Sequence, residues 1–155
     1  MSLRTALTVA TLSLAVATAS AADATFDRTL NTGSTPSVSV ATGSGNIHLH
    51  PGSDNQVHIF AHLHSNHGWM SGDVDSRIQQ IVNHPPIVQN GNEIVIGENH
   101  HNDLYRDIAI DYDITLPRAS TLATTTGSGD IHIENDGASL KAQSGSGNVQ
   151  AEGIQ

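Results

Sequence analysis

The chain has no cysteine. Disulfides, thiolate metal sites, cysteine nucleophiles and lipid attachment through a leader cysteine are therefore all excluded. Aromatic residues make up only 3% of the sequence, which leaves little for a sugar-stacking platform. Charge is scarce at 14% and one-sided: 6 basic against 15 acidic residues give a formal net charge of −9. A surface of that sign repels nucleic acid and anionic lipid headgroups, so neither is an expected partner. Beyond the N-terminal segment no run is apolar enough to cross a membrane.

That N-terminal segment reads as a leader. Arg4 supplies the positive start, Ala6 to Ala17 form a short apolar stretch, and Ala19-Ser20-Ala21-Ala22 offer a small-residue cleavage site. The reading is a signal peptide over 1–21, cut after Ala21 or Ala22, and a single domain over 22–155. Cleavage removes Arg4 and no acid, so the formal charge falls from −9 to about −10. The expected location is periplasmic, extracellular or at the cell surface.

What the chain does have is glycine, 14 residues of it, and a repeated phrase. Thr42-Gly43-Ser44-Gly45-Asn46-Ile47 returns as Thr126-Gly127-Ser128-Gly129-Asp130-Ile131 and as Ser144-Gly145-Ser146-Gly147-Asn148-Val149. Each copy reads as a corner followed by a strand. Glycine turns the chain, Asn or Asp bonds its own backbone, and a β-branched residue opens an alternating run. The last two copies lie eighteen residues apart with a second short strand, Ser139 to Gln143, between them. Further strands are expected around Val38 and Val40, from Val57 to His64, around Ile94 and Ile96, and from Asp107 to Leu116.

One short helix is expected near 73–83. Val74, Ile78, Ile81 and Val82 recur at helical spacing, Ser71 or Asp73 is the candidate N-cap, and Pro85-Pro86 stop it. The fold class is thus all-β: a β-solenoid-like stack or sandwich of short strands with Gly-Ser-Gly corners. The third corner comes close to Gln155 with no polar cap after it. Such an end suits an edge that meets a partner or another copy, or a domain incomplete at its C-terminal end.

Several phrases together resemble a bacterial envelope family catalogued as "putative adhesin", a domain of unknown function built of β-strand repeats. They are Ala41 to His50, Arg77 to Val82 with Pro85-Pro86-Ile87 and Gly91 to Ile94, Ile110 to Pro117, and Thr126 to Ile131. The resemblance covers nearly all of the chain after the leader and implies an exported, non-catalytic binding or scaffolding module. This chain looks like a shortened member, because relatives carry further Gly-Ser-Gly repeats. The implied partners are an envelope protein, a surface glycan, or the chain itself through an open C-terminal strand edge.

Histidine is the anomaly, with ten in the chain. His48 and His50 leave one face of a strand, and His58, His62 and His64 share a face of the next. If Pro51 to Asn55 join these strands as a hairpin, His48 lies opposite His58, and imidazoles from both strands could share a Zn, Cu or Ni ion. The plainer reading is a solvated face, since Ile47, Leu49, Val57 and Ile59 take the inward positions. Either way, clustered imidazoles gain charge as pH falls towards about 6, which would make the face pH-responsive. No other cofactor is expected.

Other chemistry is weaker. Asp107, Asp111 and Asp113 line one strand face and could serve as glycosidase carboxylates, but a solvated edge explains them better. The Gly-Ser-Gly corners precede strands rather than helices, and only Asp130 among the equivalent positions is acidic, which argues against phosphate or calcium loops. Trp69 and Met70 read as the cover of a core end, and His100-His101 as loop residues. Neither a G-x-S-x-G elbow nor an H-E-x-x-H helix occurs, and the chain is not expected to be an enzyme.

Overall fold

The computed structural model describes residues 23–65, 72–97, 102–134 and 139–153. In chain order the strands are β1 Asp23–Asn31, β2 Ser37–Ser44, β3 Ile47–Pro51, β4 Gln56–Ser65, β5 Ile87–Asn90 and β6 Glu93–Ile96. They continue as β7 Ile108–Leu116, β8 Thr121–Ser128, β9 Ile131–Glu134, β10 Ser139–Ser146 and β11 Val149–Glu152. A helix, α1 Gly72–Asn83, precedes β5, and a single 3₁₀ turn, Asp103–Tyr105, precedes β7. The leader, Ser71, Trp69, Met70 and His100-His101 all lie outside the described residues.

The strands form two mixed sheets, a six-stranded one ordered β1-β4-β7-β3-β9-β11 and a five-stranded one ordered β10-β8-β2-β6-β5. Each corner phrase carries the chain from the five-stranded sheet to the six-stranded one, from β2 to β3, from β8 to β9 and from β10 to β11. These rungs stack in parallel, with Val38 beside Leu122 and Leu140, and Ile47 beside Ile131 and Val149. The all-β expectation holds, but the molecule is not a solenoid as such. Antiparallel β1, β4 and β7, and the β5–β6 hairpin, interrupt the coil.

Alternation along the strands builds the core between the sheets. Ile47, Leu49, Val57, Ile59, Ala61, Leu63, Ile110, Tyr112, Ile114 and Leu116 face inward and are buried. Val38, Val40, Ile94, Ile96 and Leu122 meet them from the other sheet. Helix α1 packs against β1 and β4 and adds Val74, Ile78 and Ile81 to the same core. Asp73 lies inside its first turn, not ahead of it.

The corners owe their sequence to the neighbouring rung. Asn46 Oδ1 accepts from the Asp130 N–H at 2.9 Å, and Asp130 Oδ1 accepts from the Asn148 N–H at 2.7 Å. In the other direction the Thr126 hydroxyl donates to the Gly45 carbonyl at 3.0 Å, and the Ser144 hydroxyl to the Gly129 carbonyl at 2.9 Å. The polar residues thus bond across rungs, which corrects the expectation that each Asn or Asp folds back on its own backbone. At Gly129, φ is +143° and a β-carbon would collide with the Gly45 carbonyl oxygen, so only glycine fits.

Candidate functional site

The outward face of the six-stranded sheet carries the histidines. Because side chains alternate, burying Ile47, Leu49, Ile59, Ala61 and Leu63 turns His48, His50, His58, His62 and His64 to the outside, where all five are half-buried. All five residues picked from the sequence therefore share one face.

Their pairing is different from the expected one. Strands β3 and β4 do not form a hairpin ladder, because β7 lies between them, parallel to β3 and antiparallel to β4. His48 is opposite Asp113 and His132, while His58 is opposite Thr115 and Thr29. The core favours this order: a place inside the sheet buries Ile108, Ile110, Tyr112, Ile114 and Leu116 on the inward side of β7.

Inserting β7 threads carboxylates between the two histidine strands. His50 Nε2 donates to Asp113 Oδ1 at 2.7 Å, and His48 Nδ1 lies 3.7 Å from Asp113 Oδ2. On the other side of β7, His64 Nδ1 is 3.5 Å and His62 Nδ1 is 3.9 Å from Asp111 Oδ2. His58 is tied instead to Asp27 of β1 at 2.8 Å. Asp111 has a second duty: its Oδ1 accepts from the Asn46 N–H at 2.7 Å. Asp107 does not belong to this row, since it precedes β7 with φ at +63°.

Two residues missed by the sequence reading complete the face. His132 on β9 sits beside His48, ring centroids 4.8 Å apart, and donates from Nε2 to Glu134 Oε1 at 3.0 Å. Glu134 also lies 3.7 Å from His48 Nε2. The hydrogen bond from His132 holds the Glu134 carboxyl below its usual range, helped by charge on His132 and His48.

A cleft of about 220 Å³ opens over β7, walled by His48 and Asp113 on one side and by His62 and Asp111 on the other. Phe60, 39% exposed, supplies its apolar edge. Chemically the face offers imidazole nitrogens interleaved with carboxylate oxygens, and several of these His/Asp/Glu groups could hold a metal ion.

Neither a family model nor a curated protein matches the sequence. Among solved structures, the chain is similar in fold to a "putative cell adhesion protein" from Clostridium sporogenes, with a TM-score of 0.52 at 12% identity. The match covers 80% of this chain but 59% of that one, so this chain spans little more than half of the neighbour's length. At that identity the likeness is one of fold. It agrees with the resemblance drawn from the sequence at that level.

Proposed function

We propose that the chain is a non-catalytic, exported envelope module that binds by β-augmentation, taking up a further rung of polypeptide beside β10 and β11. The observation that carries this reading is the uncovered end of a buried apolar column at the last rung. Val149 is 46% exposed, whereas Ile47 and Ile131, its register equivalents, are 1% exposed. Each of β10 and β11 has a single hydrogen-bonded neighbour among the described strands. Unpaired backbone groups beside uncovered apolar side chains favour another strand.

A surface glycan is the weaker occupant, because a sugar cannot continue two parallel backbone ladders. The leader supports export. No helix among the described residues is long and apolar enough to cross a membrane. An adhesin-like role is supported by the fold neighbour and by the sequence resemblance. The non-catalytic reading is supported by the hydrogen bonds that occupy one oxygen of each of the two strand-face carboxylates of β7, from the Asn46 N–H to Asp111 Oδ1 and from His50 Nε2 to Asp113 Oδ1.

Light scattering across a concentration series tests the proposal, comparing the wild type with Val149→Lys and adding a synthetic peptide spanning 121–134. Association or peptide capture that the substitution abolishes supports the open edge. A wild-type protein that stays monomeric and ignores the peptide overturns it.

A further inference from the structure

The outward histidine face gathers metal-ligand atoms in three places: His48 with His50 and Asp113, His48 with His132 and Glu134, and His62 with His64 and Asp111. In each group the candidate ligand atoms lie within 4.8 Å of one another. A tetrahedral ion with bonds of about 2.0–2.1 Å holds its ligand atoms about 3.3 Å apart, so closing such a group takes shifts of about 1 Å or less per side chain. Side chains on a half-exposed face can make shifts of that size by small rotations about χ1 and χ2.

The geometry points to two sites for divalent transition-metal ions of the zinc, copper and nickel class, one centred on His48 and one formed by His62, His64 and Asp111. Donor chemistry selects the class. Calcium and magnesium prefer six or more oxygens, whereas each group here has two imidazoles and one carboxylate. An open coordination position then falls to water, as in zinc sites with three protein ligands.

His48 is the node of the first site. Its Nδ1 faces Asp113 and its Nε2 faces Glu134, each at 3.7 Å, which is too far for a hydrogen bond. A neutral imidazole has one lone pair to give, so His48 serves one ion at a time. The groups on its two sides are therefore alternative arms of one site, not two sites.

Unsatisfied atoms mark both places. His48 Nε2 is shielded from solvent and makes no hydrogen bond among the described residues, and the same is true of His64 Nδ1 in the second group. A shielded polar atom without a partner is costly, and a cation at that position would satisfy it. Asp111 and Asp113, two apart on β7, are about 7 Å from each other along the strand, which separates the two ions across the same cleft. His58 stands outside both sites, held by Asp27.

Isothermal titration of the tag-free protein with zinc and with nickel at neutral pH tests the assignment. The expected result is two ions per chain for the wild type, one for His48→Ala, one for His62→Ala, and an unchanged two for His58→Ala. The double substitution His50→Ala with His132→Ala repeats the first loss while leaving His48 in place, and thermal unfolding of each variant checks the fold. The assignment is overturned by no binding at tens of micromolar metal, by stoichiometry that none of these substitutions changes, or by loss on His58→Ala.

Discussion

In the metal-free protein the Glu134 carboxyl accepts a hydrogen bond from His132, and this contact lowers its titration from the ordinary range. A carboxyl lowered on folding stabilises the native state above its unfolded pKa, and that contribution fades as pH falls through the folded value. Carbon-detected NMR titration should show Glu134 ionising below a typical glutamate. His132→Ala should move it back up. The two tyrosines shift the other way, Tyr105 and, far more, Tyr112, because burial disfavours the phenolate. Stability owed to a raised phenol is complete below about pH 10 and is lost as pH rises through the folded value. Absorbance near 295 nm should therefore show Tyr105 titrating above an ordinary tyrosine and Tyr112 silent until the protein unfolds in alkali. At this scale the sequence exposed the histidines but not their partners. His48 and His132 follow the β-branched residue of two corner copies, and aligning the copies places them in one column beside Gln150. The alignment was a usable signal for His132. Nothing local marked Asp111 and Asp113 as neighbours of the histidines, because that follows from strand order.

The corner stands where the repeated phrase placed it, although its Asn and Asp bond across rungs, and it divides glycines by what surrounds them. Gly129 combines φ of +143° with a neighbouring carbonyl in the β-carbon's place, so Gly129→Ala should cost about 3 kcal/mol or more. Gly91, in the β5–β6 turn, has φ of +60° and nothing within 4 Å, so Gly91→Ala should cost only about 1 kcal/mol. Urea unfolding distinguishes them: both midpoints fall, the first much further, with slopes unchanged. Asp130→Ala removes the acceptor for the exposed Asn148 N–H and should cost about 1 kcal/mol or less by the same measurement. Strand alternation and the helix were legible because each depends on spacing within a few residues. The pairing of β3 was not, because a short connection such as 52–55 suggests a hairpin. The apolar face of β7 outweighed that local preference by taking the position between β3 and β4.

Across the whole molecule, protection should fall from the centre of the six-stranded sheet to its last rung. Strand β7 is bonded on both sides and its inward face is buried, while β11 is bonded only to β9 and is exposed along its length. The Thr/Ser and Asx bonds that tie one corner to the next reach Ser144 and Asn148 at this rung. Opening β10 and β11 therefore breaks one set of rung contacts and exposes little buried surface, whereas opening β7 unravels the core. Local stability follows such differences, so amide hydrogen exchange should be fastest at 149–152, intermediate in β9 and slowest in β7. The gradient also bears on the open edge. If a further rung docks beside β11, exchange at 149–152 should slow at high protein concentration while β7 stays unchanged. Concentration-independent exchange at 149–152, in a protein that light scattering finds associated, would place the contact on some other surface.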